Sequence, residues 1–393
     1  MKTQFKPLAI ALSLFTLTAC NANSKSNQQD LAVVETVIET HSKAEKLENP
    51  EIKVALLLDT SNSMDGLIDQ AKAQLWQVVN ELSYAKCEDK SPNLKIALYE
   101  YGNDNLNADE GYLRQVISFS DDLDEISKSL FSLTTNGGNE FCGKVITTAL
   151  NQLNWGKDKE DLKLIFIAGN EPYTQGTISY KDASKLAHQN DITVNTIFCG
   201  DYNQGVSSYW KDGADLTHGN YMAINHNQAT VHVASPYDDK ILELNEKLNR
   251  TYVAYGKKGR AKIEMQAEQD MNAISYNKAN AVSRTVSKSS RLYKNSSWDL
   301  VDAEKEDDFS YEELKVEQLP KELKGKSKSE IKTYIEKKGK EREALQKEIT
   351  NLNIKRRNFI SNKTKDSENG LENALIKSIK IQAEQKNYKW EKS

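Results

Sequence analysis

Residues 54–66 read VALLLDTSNSMDG, and this stretch decides the fold. Five apolar residues run unbroken into Asp59, as in a strand buried on both faces. Ser61 and Ser63 follow at alternate positions, so the strand ends on Asp-x-Ser-x-Ser. One tight loop can bring these three short oxygen-bearing side chains together. Hard divalent cations take such oxygens. A serine-rich helix N-cap is the simpler use of the same residues.

Outward from this loop, Leu67, Ile68, Ala71, Leu75, Val78, Val79 and Leu82 recur at helical spacing and mark one apolar face. Further strands are expected at 94–102, 114–120, 162–169, 192–200 and 220–224. Helical segments at 123–130, 137–155, 180–190 and 207–216 separate them. Strands alternating with helices imply right-handed crossovers and an α/β fold with a doubly wound, mainly parallel sheet. Ligands in such sheets bind beyond the carboxyl ends of the strands, which places Asp59, Gly169 and Cys199 on one solvent-facing rim.

Past residue 235 the character changes. Lys and Glu dominate, 302–313 is acidic and 324–365 is richer in Lys and Arg. Ser327 and Glu330 have the spacing of a capping box. Narrow apolar stripes through Ile331, Ile335, Leu345, Ile349 and Leu352, and again through Leu371, Leu375, Ile379 and Ala383, predict a helical, partly coiled C-terminal region over 233–393. The polar stretch 277–297 reads as a linker or a loosely ordered segment.

The chain starts with Lys2 and Lys6 and an apolar run that stops at Leu17-Thr18-Ala19-Cys20. This resembles a bacterial lipoprotein lipobox. The resemblance implies a signal peptide over 1–20, cleavage before Cys20 and acylation of its thiol. A polar tether over 21–50 then follows. It places the protein in the bacterial cell envelope, lipid-anchored on the periplasmic or outer-membrane side.

The strand, the DTSNS loop, the helix after it and the GGNE turn at 137–140 together resemble a von Willebrand factor A domain, over 51–232. The resemblance implies that Asp59, Ser61 and Ser63 belong to a metal-ion-dependent adhesion site. Such a site holds Mg²⁺, with Mn²⁺ or Ca²⁺ as alternatives, and an acidic group of a partner completes the shell. Two positions depart from the family pattern. Asn139 stands where a threonine usually follows the glycines, and Ala168-Gly169-Asn170-Glu171 replaces a turn that usually carries an aspartate. Asn139, Glu140 and Glu171, with Asn170 beside them, bring oxygens to the same rim as replacements.

Other chemistry is missing. The five histidines are scattered, with no His-Glu-x-x-His helix, and His226 reads as a surface-loop residue. There is no serine elbow, phosphate loop or dinucleotide fingerprint. A net charge of -4 gives no pull toward nucleic acid. No enzyme is expected. The expected function is a lipid-anchored binding, adhesion or scaffolding module that grips an envelope or extracellular protein or a glycan. The alternative is a metal-free structural envelope protein with a degenerate site, and an envelope hydrolase ranks third.

Besides Cys20 the chain has Cys87, Cys142 and Cys199. Cys142 follows the glycine turn and Cys199 ends a strand at the same rim. A helix of twenty residues, about 30 Å long, carries Cys87 away. In an oxidising compartment a Cys142–Cys199 disulfide is expected, with Cys87 free.

Overall fold

The computed structural model describes residues 49–228, 233–363 and 371–391. The signal segment, Cys20 and nearly all of the tether lie outside them. The strands are β1 (Glu51–Asp59), β2 (Ala85–Cys87), β3 (Asn93–Tyr101), β4 (Leu113–Ser120), β5 (Leu162–Gly169), β6 (Thr193–Cys199), β7 (Tyr221–Ile224) and β8 (Tyr388–Trp390). Six of them form one sheet in the order β4-β3-β1-β5-β6-β7, and β2 pairs with β8 in a small second sheet. All neighbours in the large sheet are parallel except the edge strand β4.

The apolar run of β1 forms a central strand because both of its faces find cover. Ile52, Val54 and Leu58 point into one hydrophobic core, Ala55 and Leu57 into another. The second core is closed by α3 (Cys142–Gln152), α4 (Tyr180–Gln189) and the short α6 (Trp210–Asp215), which follows α5 (Tyr202–Ser207). The first core lies under α1 (Asp65–Leu82) and α2 (Leu123–Phe131).

The C-terminal region adds to this first side. It comprises α7 (Asp238–Asn249), α8 (Gly259–Tyr276), α9 (Lys278–Lys288), α10 (Leu300–Ala303), α11 (Lys328–Lys363) and α12 (Leu371–Glu384). The two parts expected on either side of residue 232 pack into one compact unit, residues 48–393. The two apolar stripes find different partners: α11 lies on α7 and α9, and α12 lies on α1 and against β5 and β7. Helix α12 covers the sheet face that β5, β6 and β7 would otherwise expose. Leu375 and Ile379 enter the first core, Asn195 and Gln382 exchange amide hydrogen bonds, and the Ser378 hydroxyl donates to Met222 Sδ at 2.9 Å. The capping box forms as its spacing predicts, Ser327 N–H donating to Glu330 Oε2 at 2.8 Å.

The stretch 277–297 is not a linker. Residues 279–288, polar and apolar alike, are buried in α9. The Arg284 guanidinium stacks over the Trp76 ring, 4.8 Å from its centroid, and donates to Asp124 at 2.7 Å and Asp270 at 2.6 Å. Lys288 Nζ donates to Asp270 at 2.9 Å and Asn245 at 3.0 Å. Hydropathy reads these residues as solvent-seeking; buried polar groups are stable once paired, and here every charge has a partner.

The expected Cys142–Cys199 disulfide does not form. Both thiols are free and buried, as is that of Cys87. The reason is strand parity: Phe198 joins the core under α3 and α4, so Cys199 faces the opposite core, whereas Cys142 lies with Phe198. The sheet separates the two sulfurs. Burial pushes both thiols well above their usual range.

Three outcomes follow for stability. Replacing Asp270 with Ala should leave Arg284 and Lys288 buried without their shared carboxylate and cost about 3–5 kcal/mol, read from the denaturant midpoint. Ile379→Ala, at a position with 1% exposure, should cost about 2–5 kcal/mol. A fragment ending at residue 234 should expose the face under α12, bind a hydrophobic dye and lose a sharp unfolding transition.

A candidate cation site at the carboxyl rim

Asp59 ends β1 and is fully buried, with 0% exposure, so it lies under the rim and not on it. Its Oδ1 accepts the Ser61 backbone N–H at 2.7 Å, which fixes the carboxyl against the loop. Two glycines make room for it. A side chain at Gly102, which has φ +78°, would put a Cβ 2.7 Å from Asp59 Oδ1 and 2.8 Å from Glu140 Cγ. One at Gly169 would lie 3.1 Å from Asp59 Oδ2 and 2.6 Å from Tyr101 Oη. The family aspartate missing after β5 is therefore replaced by a backbone that leaves a cradle above Asp59.

Glu140 fills the position that the glycine turn prepares. It is 4% exposed and stands against Asp59. The Ser61 and Ser63 hydroxyls are 3.2 Å apart, and Asn170 Nδ2 donates to Ser63 Oγ at 3.1 Å. Ser61, Ser63, Glu140 and Asn170 thus gather at the rim above the buried Asp59. Glu171 is exposed; its Oε2 accepts from Gln175 Nε2 at 3.1 Å, and its carbonyl accepts the Trp210 indole N–H at 2.8 Å. Its charge still reaches Asp59 and Glu140. Asn139 points into solvent and is not brought into the cluster. His226, expected on a surface loop, is half-buried beside the backbone of Ser63, and burial lowers its pKa.

Three buried oxygens of this cluster have no hydrogen-bond donor: Asp59 Oδ2, Glu140 Oε2 and Asn170 Oδ1. Two facing carboxyls can satisfy one another only by sharing a proton or by meeting a cation. Burial, and then the Asp59 charge, push Glu140 up to about 9; burial pushes Asp59 up to about 6. At neutral pH the pair therefore holds one proton and one negative charge. Two carboxylates, two hydroxyls and an amide oxygen form an all-oxygen set of the kind that hard cations take. The residues fit such an ion. Among the described residues no three or more His, Cys, Asp or Glu are placed to hold a metal ion by themselves, so the hydroxyls and the amide are needed to complete the shell.

Because Glu140 holds its proton in the folded chain up to about 9 but only to 4.5 at its ordinary value, folding takes up a proton between these limits. The cation-free protein should lose stability as pH rises through this window. When both carboxylates bind a dication that proton must leave, so affinity should rise with pH and titration near pH 7 should release about one proton, measurable by comparing binding heats in buffers of different ionisation enthalpy. Glu140→Gln should abolish the release.

The von Willebrand factor type A domain family matches residues 53–234. No curated protein sequence is significantly similar to the chain. Among solved structures it is similar to the conserved hypothetical protein BatB from Bacteroides thetaiotaomicron, at 16% identity over 44% of this chain and 90% of that one, with a TM-score of 0.34. It is similar to a von Willebrand factor type A structure from Catenulispora acidiphila, at 15% identity, covering 45% of this chain and 39% of that one, with a TM-score of 0.34. The third is proximal thread matrix protein 1 from the mussel byssus with a zinc-occupied MIDAS motif, at 13% identity, covering 44% of this chain and 42% of that one, with a TM-score of 0.35. The chain thus spans about two fifths of the last two. Residues 53–234 of this protein are a von Willebrand factor type A domain.

Proposed function

We propose that this domain is a cation-dependent binding module. Asp59, Ser61, Ser63, Glu140 and Asn170 would hold Mg²⁺, with Mn²⁺ or Ca²⁺ as substitutes, and Glu171 would flank it. The bound ion supplies an electrophilic position at which an acidic group of a protein or glycan partner is held. The observation that carries this reading is the set of three buried oxygens without donors, all at one rim. Asp59 and Glu140 supply the negative charge and the serines neutral oxygens. The module binds its partner and does no covalent chemistry. Among the described residues no helix is long and apolar enough to cross a membrane. Cys20 is proposed as the acylated residue that holds the protein in the bacterial envelope.

A metal-free structural role is the second reading, and the proton shared by Asp59 and Glu140 favours it, because it balances the pair without an ion. Isothermal titration with Mg²⁺, Mn²⁺ and Ca²⁺ separates the two. Saturable binding is expected, and Asp59→Ala should weaken it by more than the 10–100-fold typical of residues behind a ligand. A partner should be recovered from envelope extracts with Mg²⁺ and released by chelator. No divalent binding at millimolar concentration would leave the structural reading in place. Separately, fatty-acid labelling of the protein should disappear in Cys20→Ser.

A further inference from the structure

A second polar cavity, of about 310 Å³, lies beside the far half of α1, away from the cation site. Helix α1 contributes Gln77 and Glu81, α11 contributes Arg356 and Arg357, α12 contributes Glu372, and Ser283 of α9 closes it. Nothing in the binding function proposed above uses these residues.

The walls satisfy one another only in part. Arg356 is 8% exposed and donates through Nε to Asp238 at 2.9 Å; neither of its Nη nitrogens bonds another described residue. Arg357 donates Nη2 to Glu81 at 3.3 Å, stacks 5.0 Å over Tyr84, and keeps Nη1 buried without an acceptor. Gln77 Oε1 is buried without a donor. The Glu372 carboxyl pairs with no cation among the described residues; burial, and then the charge of Glu81, push it up to about 7. The cavity thus has spare guanidinium donors on the α11 side, and a spare acceptor and an unpaired carboxyl on the α1 and α12 sides. The two buried orphans, Arg357 Nη1 and Gln77 Oε1, are costly unless something fills the space between them.

We propose that this cavity binds a small zwitterion of the α-amino acid class, its carboxylate held by Arg356 and Arg357 and its ammonium by Glu372 and Gln77. Guanidinium groups suit a carboxylate because their planar fork meets both of its oxygens. A simple anion such as phosphate would leave Gln77 and Glu372 unanswered, and a simple cation would leave the arginines so. The volume stands at the small end of ligand cavities, which limits the occupant to amino-acid or dipeptide size.

The test is thermal unfolding of the full-length protein with each L-α-amino acid in millimolar excess, followed by calorimetric titration of those that act. At least one amino acid should raise the Tm by several degrees. Its N-acetyl derivative, which lacks the ammonium, and its amide, which lacks the carboxylate, should not. Arg357→Gln and Glu372→Gln should each abolish the shift while Mg²⁺ binding at the rim is unchanged. Arg357→Lys, which keeps the charge but not the fork, should retain only part of it. If a variant fails to fold, the three wild-type measurements with acid, N-acetyl acid and amide decide alone. The proposal is overturned if no amino acid shifts the Tm, or if acetate, phosphate or methylammonium shifts it as much.

Discussion

Helix α1 is packed on both sides, and the rest of the molecule depends on this. One side lies on the sheet, as the domain requires. The other carries Trp76, fully buried under the Arg284 guanidinium of α9, and meets α12 as well. An amphipathic helix needs one apolar face; this one also buries Gln70, Ala73 and Gln74. The C-terminal helices are therefore a second layer of the domain and not an appendage. The loop that carries Ser61 and Ser63 runs directly into α1, so the position of two site hydroxyls is set by packing on both sides of one helix.

The site joins two solutions to one electrostatic problem. Where the family pattern uses a short hydroxyl after the glycines, this chain places the longer carboxyl of Glu140 against Asp59. Two negative charges this close in a dry setting cannot both persist alone. A shared proton or a bound dication neutralises them, and only glycine at 102 and 169 lets the backbone pass this close to the pair. The pair is thus as much a feature of the cation-free fold as of a loaded one.

Much of the fold was legible because strands buried on both faces write themselves as apolar runs. KVALLLD and LKLIFIAG needed no further information. Asp59, Ser61, Ser63 and Glu140 were legible as a group from the strand end and the glycine turn. Other features were not. The polar sequence of α9 hid a buried helix, since composition cannot show that Arg284 and Lys288 meet Asp124 and Asp270. The stripe of α12 announced a buried face without saying that the sheet beyond β5 would cover it. The cysteine pairing failed on parity: reaching the same rim is not enough when successive strand residues point to opposite faces. Gly102 became visible only when the loops were placed in space.

The first strand has a mechanical meaning. Asp59 is its last residue, Glu51 its first, and β1 lies between β3 and β5, bonded to both in parallel. At the Glu51 end, the Tyr388 hydroxyl of β8 donates to the Glu160 carbonyl, so the tail of the chain braces that pole. A pull applied at Asp59 and resisted at Glu51 would run lengthwise along a single strand of about 30 Å. It loads two hydrogen-bond ladders in shear at once, so they resist together instead of opening one bond at a time. The candidate cation site and the brace from β8 thus stand at the two ends of one central strand.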